Sequence, residues 1–192
     1  KGILQPVFAG IPAYLMPALI FLKRPVRWLQ AIGRYGITHS GGPNFAYAHC
    51  ARSTTIEERR DLRLASWRLA SCGAEPIARD TIESFVEAFE PVGFRREAFF
   101  PAYGMAEFTL LVSLKRKGAA PVIRNLDAQA LRDGVVKIRD ADEKGIRPVV
   151  SCGRPVGDTK VVIVDPTARR ECPPETVGEI WLTGASVAKG YW

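Results

Sequence analysis

Three short glycine-bearing junctions, each directly after an apolar segment, constrain the fold of this chain more than any other feature. They occupy residues 40–44, 71–76 and 102–107. Open α/β sheets bind their ligands at the carboxyl ends of the strands, where junctions of this kind lie. Because glycine has no side chain, backbone groups at such a junction can approach a ligand closely. Taken singly, however, each junction is better explained as an ordinary strand-to-helix turn.

Apolar spacing between the junctions predicts alternating helices and strands. Helices are predicted over residues 25–35 and 77–89. Thr55 and Glu58 have the spacing of a capping box, which predicts a short helix there. A short strand is predicted at residues 37–39, and buried strands are predicted at residues 67–72 and 98–102. This alternation indicates an α/β fold in which helices pack on part of a mostly parallel sheet.

The pattern changes after about residue 115, where short strands replace the alternation. A strand at residues 109–113 closes the alternating part, and beyond it strands are predicted at residues 122–124, 135–139, 149–151, 160–164 and 179–182, with a short helix at 128–132. Closely spaced strands with Gly and Pro turns are typical of a small antiparallel barrel or sandwich. We therefore predict an α/β subdomain over residues 1–148 and the beginning of a small antiparallel β-barrel subdomain over residues 149–192.

The apolar run over residues 7–22 is interrupted by Gly10, Pro12 and Pro17. It lacks the ~20 unbroken apolar residues that a membrane crossing requires. We predict no membrane span and interpret this run as buried core. No signal peptide is visible in the sequence.

Cysteine content and charge limit the possible functions further. The four cysteines are far apart, and with two histidines they offer no spacing suited to a zinc site. Reduced, mostly buried thiols and a cytoplasmic location are therefore expected. The net charge is +7, but basic and acidic residues are interleaved. This pattern favours solvated helix faces, and we predict no nucleic-acid partner.

Taken together, the motifs resemble the adenylate-forming superfamily and, within it, the fatty acyl-AMP ligases. The motifs that carry the resemblance are residues 41–47, 73–76, 103–107, 177–181 and 190–192. Ala106 stands before Glu107, as is typical of these ligases, where the wider superfamily usually has Thr. A segment at about residues 115–148 resembles the extra segment that these ligases carry. The resemblance covers essentially the whole chain and identifies it as an internal piece of the large N-terminal domain, with flanking parts missing at both ends.

The resemblance implies an enzyme that converts a fatty acid and ATP into acyl-AMP and pyrophosphate, with Mg²⁺ as cofactor. The acyl group then passes to the phosphopantetheine thiol of an acyl carrier protein or a polyketide synthase module. A long-chain fatty acid is the implied substrate, and the sequence does not give its length. The family's phosphate loop, ribose-binding Asp and catalytic Lys are expected outside these residues, so the isolated chain is expected to be inactive.

The resemblance also implies roles for individual residues. Glu107 matches the family's magnesium ligand, and it is the catalytic residue expected in this chain. Tyr103 matches the aromatic residue that packs against adenine. Nucleotide contacts are implied for Gly73, Ala74, Glu75, Gly104, Met105 and Ala106. The acyl pocket is implied at Gly41, Gly42, Pro43, Asn44 and Phe45, with Tyr47 as a further candidate for its wall.

Two other functions fit the sequence. One is a long-chain acyl-CoA synthetase, in which coenzyme A replaces the carrier protein as the acceptor; Ala106 and the segment at residues 115–148 argue against it. The other is a non-catalytic, ligase-like module that binds a lipid or a nucleotide. The regions beyond this chain distinguish the module from the enzyme, because only an active ligase needs the phosphate loop and the distal Lys.

Overall fold

The computed structural model describes residues 2–141 and 143–192. Its α-helices are α1 (Leu4–Ala9), α2 (Ala18–Lys23), α3 (Val26–Arg34), α4 (Asn44–Ser53), α5 (Ile56–Arg60), α6 (Arg79–Phe89) and α7 (Ala128–Arg132). Its strands are β1 (His39–Gly42), β2 (Leu69–Cys72), β3 (Phe99–Met105), β4 (Leu110–Leu114), β5 (Ile123–Asp127), β6 (Ile146–Val150), β7 (Arg154–Pro155), β8 (Lys160–Asp165), β9 (Arg170–Glu171) and β10 (Glu179–Thr183). Short 3₁₀ helices occupy Glu90–Val92, Arg96–Ala98 and Ala106–Phe108.

The main sheet has five strands in the order β1-β2-β3-β4-β7. The pairs β1–β2 and β2–β3 are parallel, whereas β3–β4 and β4–β7 are antiparallel. The α/β prediction is therefore confirmed, with a sheet that is mixed rather than mostly parallel. The change of direction has a local cause. β3 continues to Met105 instead of ending at residue 102, and the turn at Ala106–Phe108 folds the chain back into β4.

Two further sheets are antiparallel, as expected for the second half of the chain. One has the order β10-β8-β9, and the other consists of β5 and β6. The strand predicted at residues 135–139 is wrong, because this segment forms only the isolated bridges Val135↔Thr176 and Leu126↔Ile138 in the described residues. Val135 is 49% exposed and Ile138 65% exposed. Little apolar burial is therefore available to hold a longer ladder there.

An aromatic cluster forms the core between α3, α4, α6 and the first three strands. Tyr47, Trp67, Phe85 and Phe99 are fully buried. Their ring centroids lie 4.7 to 6.4 Å apart in tilted, stacked and edge-on pairs. A buried aromatic side chain removes at least about 150 Å² from water, which is worth about 4 kcal/mol before entropy costs. This cluster fixes the helices on the sheet.

Local sequence signals account for several helix boundaries. Thr55 and Glu58 form the predicted capping box at the start of α5. Helix α3 buries Val26, Leu29 and Ile32, as its spacing predicts. Helix α4 was not predicted, because its first residues were assigned to the first junction.

The prediction of a buried core at residues 7–22 is wrong. Helices α1 and α2 contain no buried residue, and Phe8 is 96% exposed. Gly10, Pro12 and Pro17 lie between α1 and α2, which have six residues each, and the prolines prevent one continuous helix through the run. Within this run, Phe21 packs against the core. Among residues 2–141 and 143–192, no helix has the length and apolar character needed to cross a membrane.

Candidate active site

The three junctions lie side by side at one edge of the main sheet. Gly42 pairs with Cys72, and Cys72 pairs with Pro101, so β1 and β2 end at the same level while β3 runs on past them. Neighbouring strands are about 5 Å apart, which separates β1 from β3 by about 10 Å. The order across this edge is the first junction, then the second, then the third.

The first two junctions are joined by a reciprocal pair of hydrogen bonds. The backbone N–H of Phe45, in the first turn of α4, donates to Glu75 Oε1 over 2.7 Å. The backbone N–H of Ala78, at the start of α6, donates to Asn44 Oδ1 over 3.0 Å. Each junction thus supplies an acceptor for an amide that its neighbour's helix leaves without an intrahelical partner. In this structure Glu75 and Asn44 bind protein, whereas the resemblance implied ligand contacts.

The junction glycines are required by close backbone approach between strands. A Cβ atom on Gly73 would lie 2.7 Å from the carbonyl oxygen of Ala102. A Cβ atom on Gly104 would overlap the carbonyl group of Leu110, and one on Gly41 would overlap β2. The sequence had suggested room for a ligand as the reason for these glycines. The packing of neighbouring strands is sufficient on its own.

An apolar cleft of about 1010 Å³ opens beside the first junction. Four of the five residues predicted for the acyl pocket line it, and these are Gly41, Gly42, Pro43 and Phe45. Asn44 instead caps α6. Tyr47 is also absent from the wall, because its ring is fully buried and its hydroxyl donates to the Ser71 carbonyl. Burial raises the pKa of Tyr47 well above its ordinary value.

Two aromatic residues of the cleft wall were not predicted from the sequence. Phe21 and Trp28 line the cleft, with ring centroids 5.7 Å apart and edge-on. The Trp28 indole N–H donates to Ser40 Oγ over 2.9 Å, which ties α3 to the first junction. Amphipathic spacing in α3 marked its core face, but no local signal placed Trp28 beside β1.

The third junction begins inside β3 and ends in a strained turn. Tyr103 is half-buried, and a β-bulge separates it from Gly104. Met105, Ala106 and Glu107 are exposed. Left-handed backbone angles occur just after the third junction, at Thr109 (φ 50°) and Leu110 (φ 88°). The second junction has one as well, at Ala74 (φ 70°). Such angles cost a non-glycine residue about 1–2 kcal/mol, and strain of this kind clusters at functional sites.

Residues 184–191, which we call the docking segment, lie against the Glu107 turn. The Tyr191 hydroxyl donates to Glu107 Oε1 over 2.5 Å. The backbone N–H of Ala188 donates to the Glu107 carbonyl oxygen over 2.8 Å. The hydrogen bond from the Tyr191 hydroxyl lowers the pKa of Glu107, and the backbone N–H of Glu107 itself lowers it further. The same bond raises the pKa of Tyr191.

The Glu107 carboxylate is exposed and could serve as one ligand of a metal ion. Among the residues that the structure describes, no group of three or more His, Cys, Asp or Glu side chains is arranged to hold a metal ion. Mg²⁺ commonly binds one or two protein carboxylates and takes its other ligands from water and substrate phosphates. A single exposed carboxylate fits a cation of that kind and not an all-protein metal site.

The buried cysteines are unsuited to nucleophilic chemistry. Cys50 and Cys72 are buried, and burial raises the pKa of each thiol to about 12. Both are therefore protonated at neutral pH, and the thiolate is the reactive form. Cys152 and Cys172 are partly buried and are also free cysteines.

The profile of the AMP-binding enzyme family matches residues 1–192. The chain is 53% identical to the medium-chain-fatty-acid–(acyl-carrier-protein) ligase JamA of Moorena producens, over 100% of this chain and 33% of JamA. It is 38% identical to the putative fatty-acid–CoA ligase fadD25 of Mycobacterium tuberculosis, over 100% of this chain and 32% of that protein. The chain thus spans about a third of the length of these relatives.

The fold also matches solved structures. One is the fatty acyl-adenylate ligase from L. pneumophila in complex with acyl adenylate and pyrophosphate, with a TM-score of 0.94 and 42% identity. The match covers 100% of this chain and 33% of that one.

Proposed function

The chain belongs to the AMP-binding enzyme family, and from this premise we propose that its protein activates a fatty acid with ATP. The fatty acid carboxylate attacks the α-phosphorus of ATP, pyrophosphate leaves, and acyl-AMP forms. The acyl group then passes to the thiol of an acyl carrier protein. The name of JamA, which specifies a fatty acid and a carrier protein, supports both steps.

The observation that carries this proposal is the order of features along one sheet edge. An apolar cleft lies at β1, the two proposed nucleotide loops follow at β2 and β3, and an exposed carboxylate ends the series at Glu107. A fatty acid needs an apolar channel for its tail, and its carboxylate must reach a phosphate at close range. Neighbouring acyl and nucleotide sites meet both needs.

We assign the roles in the same order. Gly41, Gly42, Pro43 and Phe45 bind the acyl chain, together with Phe21 and Trp28. Tyr103 packs against adenine on one side, and Gly73 and Ala74 line the other. Glu107 holds Mg²⁺, which when bound neutralises charge on the phosphates. Gly104, Met105 and Ala106 shape the loop that carries Glu107, and Asn44 and Glu75 keep the acyl and nucleotide loops together.

We propose an acyl carrier protein, or the carrier domain of a polyketide synthase module, as the acceptor. The name of fadD25 favours the alternative, coenzyme A. Giving preformed acyl-AMP to the full-length protein with either acceptor separates the two. Transfer to carrier protein alone supports our proposal, and transfer to coenzyme A alone contradicts it.

Three further proposals concern the whole protein. We expect it in the cytoplasm, because the four cysteines of this chain are free thiols. We expect no nucleic-acid partner, for the charge pattern given above. We propose that residues 1–148 form an α/β subdomain with an inserted segment at about 115–148, and that residues 149–192 begin a second, antiparallel subdomain, in which β7 still pairs with β4 of the main sheet.

Detection of acyl-AMP by mass spectrometry tests the proposed function. The full-length protein receives ATP, Mg²⁺ and a panel of medium-chain and long-chain fatty acids. We expect acyl-AMP from the native protein and at least ~10²-fold less from Glu107→Ala, because the variant loses electrostatic stabilisation of the transition state. Glu87→Ala, at an exposed position on α6, is the matched control. Absence of acyl-AMP with every acid contradicts the proposal, and residues 1–192 alone are expected to form none.

A further inference from the structure

We propose that Tyr191 is a positioning residue for the Glu107 carboxylate, a role that rests on the proposed function of Glu107 as a cation ligand. The Tyr191 hydroxyl holds one oxygen of the carboxylate and so restricts the side chain to one orientation. Tyr191 thus acts through Glu107 and touches neither the cation nor the substrate.

Three hydrogen bonds hold the docking segment against the Glu107 turn. They are Tyr191 Oη to Glu107 Oε1 at 2.5 Å, Ala188 N–H to the Glu107 carbonyl at 2.8 Å, and Thr109 Oγ1 to the Ser186 carbonyl at 2.7 Å. The Ala188 and Thr109 bonds do not involve the Glu107 side chain. They therefore hold the docking segment independently of the Glu107 carboxylate, and the Tyr191 hydroxyl can act on that carboxylate from a fixed position.

The Tyr191 hydroxyl is the group that contacts the turn. Among the described residues the side chain is 83% exposed, so burial of its ring against them contributes little to holding it. A tyrosine that packs for stability is usually buried on its apolar body, with its hydroxyl bonded at the rim. Here the bond to Glu107 is the hydrogen bond that the side chain makes in the described residues.

A carboxylate held in this way remains able to bind a cation. An ionised carboxylate has about four acceptor positions on its two oxygens. The Tyr191 hydroxyl uses one, which leaves lone pairs on both oxygens for other ligands. Without that bond, an exposed glutamate samples several rotamers, and ordering it on cation binding costs free energy. Partners that orient a metal ligand typically change affinity by about 10- to 100-fold when removed.

The test is the equilibrium binding of Mn²⁺ to the full-length protein in the presence of α,β-methylene-ATP, followed by electron paramagnetic resonance. This measurement needs no turnover. Tyr191→Phe removes the hydroxyl and keeps the ring, and we expect it to raise the Kd for Mn²⁺ about tenfold. Glu107→Ala should raise it further. Thr109→Val removes one bond to the docking segment, and because the Ala188 backbone bond still holds the segment, we expect a smaller rise in the Kd than for Tyr191→Phe.

Activity supplies a second readout. For Tyr191→Phe we expect a lower kcat and a higher Mg²⁺ requirement with an unchanged KM for the fatty acid. Native Mn²⁺ affinity in Tyr191→Phe overturns the inference, and so does an equal loss in Thr109→Val, since the docking segment as a whole would then be responsible. If the native full-length protein makes no acyl-AMP, the proposed function itself is wrong. If the native protein makes acyl-AMP and Tyr191→Phe is as active, only the role of Tyr191 is wrong.

Discussion

Glu75 and Asn44 show how two neighbouring side chains hold two loops in register. Each accepts a backbone N–H from the start of the other loop's helix. Asn44 has the residue type that caps helices, whereas Glu75 stands in a junction where a nucleotide contact was implied. Their partners, Phe45 and Ala78, lie far from them along the chain, so no local pattern indicated the pairing. Contacts of this range become visible only in three dimensions.

Replacement of Glu75 by Ala is predicted to destabilise the protein by about 1 kcal/mol, since the Phe45 N–H in the first turn of α4 loses its acceptor. Glu75→Gln keeps an oxygen at the same place and should lose less. Thermal unfolding of the two variants beside the native protein measures the difference. Equal melting temperatures for Glu75→Ala and the native protein would show that the hydrogen bond contributes no stability.

At the scale of elements, β3 and β4 approach so closely that only glycine fits at position 104. A Cβ there would overlap the Leu110 carbonyl, and Leu110 itself already has a φ of 88°. The backbone carbonyl cannot move aside without breaking the hairpin. The turn that contains Glu107 joins β3 to β4. The close approach that requires glycine at position 104 therefore also determines where Glu107 lies.

Gly104→Ala is predicted to cost about 3 kcal/mol or more, the upper range for a buried steric overlap. Gly157→Ala is a suitable comparison, because Gly157 has a φ of 59° and open space around its Cβ position. It should cost only the backbone strain of about 1 kcal/mol. Thermal unfolding of both variants separates the two effects. Similar losses in the two would mean that β3 and β4 separate easily.

Sequence patterns predicted the elements best where the periodicity reflects burial. The spacing of Val26, Leu29 and Ile32 gave α3, and the capping box gave α5. Patterns failed where tertiary contacts decide. Residues 7–22 are apolar yet exposed, and β3 runs past its predicted end because β4 supplies a partner. In the candidate site, the glycines and Glu107 were visible in the sequence, whereas Trp28, Thr109 and the reach of Tyr191 were not.

On the scale of the whole molecule, charged groups and buried thiols act on stability in opposite pH ranges. The carboxyl groups whose pKa lies below its ordinary value are Glu57, Glu58, Glu83, Glu107, Asp127 and Asp165. Backbone N–H groups or paired side chains stabilise the ionised form in each. The unfolded chain then binds more protons in acid, so stability is fully present above about pH 4.5 and is lost as the pH falls through the folded pKa values.

Buried thiols lower the stability of the fold at alkaline pH, because burial raises their pKa values whereas the carboxyl pKa values are lowered. Cys50 and Cys72 have folded pKa values of about 12, against about 8.5 for an unfolded thiol. Above about pH 8.5 the unfolded chain therefore releases protons that the folded chain retains, and stability falls as pH rises. We predict a stability plateau between about pH 4.5 and 8.5, measured as melting temperature against pH.

The double variant Cys50→Ala, Cys72→Ala tests the alkaline limb of this plateau. Its melting temperature should be lower throughout, since two buried side chains become smaller. Its slope above pH 8.5, however, should be shallower than that of the native protein, because two of the groups that ionise only on unfolding are gone. The loss of packing lowers the melting temperature at every pH, so the slope above pH 8.5 reports the ionisation of the thiols separately. An unchanged alkaline slope would assign the limb to other groups, with Tyr47, whose pKa burial raises, as the next candidate.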